Sequence, residues 1–145
     1  MLLKFEKIIV SNMTLEQAIE NALAKEGEQT LATQAYMQFL KSQLLLPIEH
    51  PDNHEDDEPR VLFLETDNHV FLPVFSQLSY MKDWAKEDFA KIGTFQLSGI
   101  ELLKGLGENV TVALNPGTPS YKEFNPEEID KLKTMVMKIQ SLMQK

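Results

Sequence analysis

The chain contains no cysteine. That absence excludes disulfides, thiolate zinc sites, iron–sulfur clusters and a cysteine nucleophile, and it fits a reducing compartment. Long hydrophobic runs are also missing: no apolar stretch exceeds a few residues, whereas a membrane-spanning helix needs about 20. At Met1–Val10, Lys4, Glu6 and Lys7 interrupt Leu2, Leu3, Phe5, Ile8 and Ile9, and no small-residue cleavage site follows, so a secretory leader is not expected. These features read as those of a cytoplasmic protein with no membrane partner. Basic residues are in deficit, with 14 Lys and Arg against 22 Asp and Glu for a net charge of −8. Six of those acids (Glu49, Asp52, Glu55, Asp56, Asp57 and Glu58) fall within residues 49–58, leaving 16 acidic against 14 basic residues elsewhere. A nearly neutral body with no basic stripe cannot neutralise phosphates, so nucleic acid is not an expected partner.

What is present is ordinary for a globular protein. The 145 residues are 43% hydrophobic and 25% charged, enough for one domain with a real core. Leu3, Phe5 and Lys7 alternate with Lys4 and Glu6, which suggests that residues 1–13 form an N-terminal extension or short strand ahead of a single domain at 14–145.

Helix signals are clear. Thr14 with Gln17 makes a capping box, Leu15, Ala18, Ile19, Ala22 and Leu23 follow at helical spacing, and Gly27 supplies a stop. A second helix from near Thr30 buries Leu31, Ala35, Met37, Phe39 and Leu40, completing an αα-hairpin. Ser76 is placed to cap a helix carrying Leu78, Met81, Trp84 and Ala85. Ser98 with Glu101 forms another capping box, opening a helix with Ile100, Leu102, Leu103 and Leu106 that Gly105 and Gly107 close. Asn125, Pro126, Glu127 and Glu128 start the last helix, whose stripe is Ile129, Leu132, Met135, Val136, Ile139, Leu142 and Met143. Met137 lies off that stripe and suggests a partner-facing surface.

Strand signals fill the gaps. Leu44–Ile48 is a short apolar strand that Pro47, unable to donate to a ladder, either places at an edge or ends. Val61–Glu65 and Val70–Phe75 flank Thr66-Asp67-Asn68-His69 as a hairpin, apolar at nearly every position and so expected to be covered on both faces, or on one face with the other closed by a partner. Phe95 and Leu97 mark an extended segment, and Val110–Leu114 is a further strand before the turn Asn115–Ser120.

Few residues advertise chemistry. Asn115-Pro116-Gly117 could be a recognition loop, but Pro at the second and Gly at the third turn position explain it as a type I or II turn. With one Gly and no following Lys it does not suit phosphate. Ser76 after a strand lacks the flanking glycines of a nucleophile elbow, and an N-cap role accounts for it. His50 and His54 around Asp52 are the candidate metal ligands, set in an acidic loop with nothing apolar to fix them. His69 reads as an exposed strand residue. No Ser–His–Asp trio and no acid–base pair can be picked out, so no catalytic residue and no cofactor is expected.

Two segments carry a resemblance. Leu72–Trp84 holds a "PVF-S" strand end followed by a Trp, and Val112–Ser120 holds an "L-NPG" turn. With the "LE-AL" helix at Leu15-Glu16 to Ala22-Leu23, a strand ending near Pro47, the "G-ELL" helix at Gly99–Leu103 and the "F-PEEI" start at Phe124–Ile129, the chain resembles the N-terminal domain of the SseB (enhanced serine sensitivity protein B) family over about residues 15–139. The resemblance implies an α+β domain with a mixed β-sheet, an N-terminal αα-hairpin, peripheral helices and an amphipathic C-terminal helix. It transfers no catalytic residue, because the serine-sensitivity label describes a cellular phenotype. Residues 1–13 read as an extension relative to the family, and no second C-terminal domain is expected.

The leading reading is a non-enzymatic protein-interaction or regulatory module, its contact surface placed at Phe75, Ser76, Trp84, Asn115, Gly117 and Tyr121. The alternatives are a small-molecule sensor, with an amino acid as the suggested ligand, and a hydrolase using Ser76. The expected partner is another protein, and a homodimer through exposed apolar strand surface or through an open edge at Leu44–Ile48 is a further expectation.

Overall fold

Local side-chain caps set three of the helix starts. In the computed structural model, which describes residues 13–50, 52 and 58–143, α1 spans Leu15–Ala24 behind the Thr14–Gln17 capping box. Helix α2 spans Gln29–Lys41. Gly27, with φ +91°, lies in the turn between them rather than at the end of α1, whose C-cap is Lys25. The remaining helices are α3 (Leu78–Ala85), a 3-10 turn at Lys86–Lys91, α4 (Gly99–Gly105) and α5 (Pro126–Met143). Ser98 and Glu101 form the second capping box. The Asn125 Oδ1 accepts from the Glu128 backbone N–H at 2.9 Å to start α5. The possible strand at residues 1–13 lies outside the described residues apart from Met13, which packs against the core.

The strands form two sheets, where the sequence suggested one. The larger is mixed, in the order β2-β3-β5-β6, with β2 at Leu64–Thr66, β3 at His69–Val74, β5 at Val110–Leu114 and β6 at Lys122–Phe124. Only the central pair, β3 and β5, is parallel. The smaller sheet pairs β1 (Gln43–Glu49) antiparallel with β4 (Ile92–Ser98). Phe75 joins the two. It leaves β3 and exchanges both backbone hydrogen bonds with Leu45 of β1, at 2.7 and 2.9 Å. The outer side of β1 is closed further by Leu62 N–H on Pro47 O and by Glu49 N–H on Arg60 O. Leu44–Ile48 is therefore not the open edge expected of it. Pro47 fits because its missing N–H falls on the side away from β4.

The hairpin turns on Asp67 and Asn68, with φ +50° and +66°, the left-handed pair that a two-residue turn demands. Strand β2 is exposed throughout, so cover on both faces does not apply to it; its partner β3 and the next strand β5 are buried through their carboxyl halves. The core gathers Leu15, Ile19, Phe39, Leu40, Leu44, Leu46, Leu72, Val74, Leu103, Val112, Leu114, Phe124 and Leu132. Phe39 of α2 stacks on Phe124 of β6 at a centroid distance of 4.6 Å. Each such ring withdrawn from water contributes about 1.5–3 kcal/mol. Leu31, Met37 and Ala22 are half-buried, Leu23 and Leu78 are exposed, and Leu142 is 71% exposed, so the α5 stripe ends before it. Met137 is exposed as its off-stripe position implied.

One glycine is demanded by packing. A Cβ at Gly99 would lie 2.1 Å from the Phe39 carbonyl oxygen, where the start of α4 meets the end of α2 and Gly99 N–H donates to Ser42 O. Gly99→Ala should cost at least about 2 kcal/mol in denaturant unfolding. Gly105→Ala, which meets nothing within 4 Å, should change stability by less than about 1 kcal/mol.

Candidate functional site

Ligand sites on sheets gather at the carboxyl ends of parallel strands, and here that position is built by residues distant in sequence. Strand β3 ends at Val74 opposite Leu114 of β5. Asn115 extends the ladder by one bond, its N–H donating to Val74 O at 2.8 Å, and then adopts φ +52°. Asn tolerates this left-handed region better than most side chains. Pro116 and Gly117 (φ +85°) complete a type II turn closed by Thr118 N–H on Asn115 O at 3.2 Å. The Thr118 hydroxyl donates to the same carbonyl at 2.9 Å.

The Asn115 side chain is fully buried and forms the hub. Its Oδ1 accepts the Ser76 backbone N–H at 2.9 Å. Its Nδ2 donates to Ser76 Oγ at 2.9 Å and to Ser120 Oγ at 3.2 Å. The Ser76 hydroxyl in turn donates to Glu16 Oε1 at 2.7 Å, and Gln77 Nε2 donates to that same oxygen at 2.9 Å. Helix α1, the end of β3 and the turn after β5 are thereby tied together. Burial pushes the Glu16 carboxyl up, but hydrogen bonds from Ser76, Gln77, its own backbone and Thr14 outweigh it, and the pKa lies below the ordinary carboxylate value.

The candidate surface residues divide sharply. Phe75 and Asn115 are 0% exposed and have no surface to offer a partner. Phe75 is core, stacked on half-buried Trp84 at 5.3 Å. Ser76 is half-buried and does not cap α3, whose N-cap is Gln77 with no side-chain cap bond. The hydroxyl is drawn instead to Glu16, 60 residues away. Gly117 and Tyr121 are exposed. The Tyr121 hydroxyl donates to Glu123, and burial together with that carboxylate raises its pKa to about 12. Sequence reasoning missed Glu16 and Ser120. The available signal for Glu16 was its place in the first turn of α1 beside the capping box.

At the candidate metal loop, His50 Nδ1 accepts the Asp52 backbone N–H at 3.2 Å and lies 3.6 Å from the Asp52 carboxylate. His54 lies outside the described residues. Among the described residues, no three His, Asp or Glu side chains are grouped to hold an ion.

A second polar cluster ties α2, β6 and α5. Glu128 accepts the Tyr36 hydroxyl at 2.9 Å and Lys122 Nζ at 2.9 and 3.1 Å. Burial, then Glu128, pushes Tyr36 up to about 12. Between α4 and α5 lies a groove of about 210 Å³ lined by Leu103, Lys104, Lys133, Val136, Met137 and Gln140. No helix among the described residues is long and apolar enough to cross a membrane.

The strand-end network predicts its own energetics. Asn115→Ala removes three side-chain hydrogen bonds and keeps the left-handed strain, so unfolding should show a loss of about 2–4 kcal/mol. Asn115→Gly, which relieves the strain, should lose about 1 kcal/mol less. Because folding lowers the Glu16 pKa, its contribution is present above the unfolded value near 4 and lost as pH falls through the folded one. Stability measured against pH should therefore fall less steeply below pH ~4 in Glu16→Gln than in the parent.

The family model described as SseB protein N-terminal domain matches residues 15–131. No curated protein and no solved structure matches the chain.

Proposed function

The chain belongs to the SseB protein N-terminal domain family, and from that premise we propose that it is a non-enzymatic interaction or regulatory module of the cytoplasm that binds another protein. The observation that carries this reading is the use to which the strand-end polar groups are put. The Ser76 hydroxyl, the most nucleophile-like group there, is donated to Glu16 and fixed by Asn115. Every side-chain donor of Asn115 is likewise spent on the scaffold. This arrangement supports rigidity, and what it holds rigid is the turn after β5, where Gly117, Pro119 and Tyr121 are exposed; at the end of β3, half-buried Trp84 packs on Phe75.

A preorganised loop of this kind binds with little ordering cost, and aromatic side chains supply most of the energy at such surfaces. The contact surface is accordingly narrower than the sequence suggested: Gly117, Pro119, Tyr121 and the open side of Trp84, with Ser76 and Asn115 as its supports. Tyr121→Ala should leave the thermal midpoint within about 2 °C of the parent, since the ring is exposed, while weakening capture of the partner from native extract at least tenfold. Retention of every partner by folded Tyr121→Ala and Trp84→Ala variants would move the surface elsewhere. Ser76→Ala should lower stability by about 1–2 kcal/mol through the two lost hydrogen bonds, as read by denaturant unfolding.

A further inference from the structure

Among the described residues, strand β4 pairs with one other strand, β1. Its register against β1 pairs Leu44 with Leu97, Leu46 with Phe95 and Ile48 with Gly93. Leu45, Pro47 and Glu49 spend their backbone groups on the far side of β1, on Phe75, Leu62 and Arg60. In an antiparallel pair the inward and outward residues alternate, so Gly93, Phe95 and Leu97 face β1 while Ile92, Thr94, Gln96 and Ser98 direct their backbone groups away from it. Two of those groups are used locally: Ile92 N–H donates to Phe89 O and Ser98 N–H to Glu101 Oε1. The N–H and C=O of Thr94 and Gln96 have no partner among the described residues.

This edge carries none of the usual protection. Proteins blunt open edges with charge, proline or a bulge, and Ile92-Gly93-Thr94-Phe95-Gln96-Leu97-Ser98 contains no charged residue and no proline, in a chain that is 25% charged. Thr94, Phe95 and Gln96 are all exposed, Phe95 by 37%.

We propose that the β4 edge is a self-association surface, pairing antiparallel with β4 of a second copy about a two-fold axis through Phe95. This surface is separate from the strand-end loop and does not depend on the reading given for it. The register follows from the backbone. Setting Phe95 against the partner copy's Phe95 brings each Thr94 opposite the other copy's Gln96, and both residues present outward groups. All four unused N–H donors of the two copies then meet unused carbonyls. A slip of one residue in either direction would set outward groups of one copy against inward groups of the other. The two phenyl rings fall at a non-hydrogen-bonded position, where side chains across an antiparallel pair come closest. Charge is also complementary: the antiparallel arrangement sets Lys91, before the strand, beside the other copy's Ser98–Glu101 turn. A parallel arrangement would set Lys91 against Lys91.

The test is sedimentation equilibrium over roughly 1–500 µM, the range of a small interface, combined with amide exchange at both ends of that range. The parent should shift from monomer to dimer, and protection of the Thr94 and Gln96 amides should rise with concentration. Gln96→Pro removes an outward N–H without touching the β1 ladder, and Phe95→Lys opposes two cations on the axis; each should raise the dimer Kd at least tenfold. Circular dichroism confirms that the variants are folded, and two chemically different variants guard against one failing to fold. A parent that stays monomeric, a dimer that both folded variants leave intact, or Thr94 and Gln96 amides equally protected at all concentrations would each overturn the proposal. The last outcome would assign the edge to another segment of the same chain.

Discussion

A single buried amide holds the carboxyl ends of the two parallel strands together. Where β3 and β5 stop, their chains diverge: Phe75 turns toward β1, and Asn115 enters a tight reversal. Divergence strands the Ser76 N–H, the Ser76 hydroxyl and the Ser120 hydroxyl where the ladder no longer reaches. A buried polar group left unpaired costs about 1–3 kcal/mol. Asn115 answers all three with one side chain, and Glu16 extends the network to α1. The attachment of α1, the join between the sheets and the turn after β5 all meet at that junction.

The junction also decides which edges are open. Because Phe75 departs from β5 to pair with Leu45, the outer side of β1 is consumed, and among the described residues β4 is the terminal strand of the smaller sheet. The same event closes the proline-bearing strand and leaves the uncharged one paired on one side only among the described residues. The exposed loop and the exposed edge are thus two products of one divergence in the chain.

The residues that carry the family resemblance have physical tasks in this arrangement. Glu16, Ser76 and Asn115, from the "LE-AL", "PVF-S" and "L-NPG" segments, meet in the network. Gly99 of "G-ELL" permits the approach of α4 to Phe39. From "F-PEEI", Phe124 stacks on Phe39 while Glu128 receives Tyr36 and Lys122. Their spacing in the sequence is the spacing of contacts in the fold.

By itself the sequence determined what is local. Capping boxes at Thr14 and Ser98, the Asn125-Pro126 start, the Asp67-Asn68 reversal and the Pro116-Gly117 turn were all legible, because each depends on hydrogen bonds or φ preferences within four residues. The α+β class was legible for the same reason. Only the tertiary structure decided that Ser76 serves Glu16 instead of capping α3, that Phe75 is core, that β2 and Leu142 are exposed, and that β4 has one side open among the described residues. These outcomes depend on which distant segment arrives alongside. A side chain such as Ser76 has equal chemical capacity for a local cap or a remote carboxylate, and geometry alone selects between them.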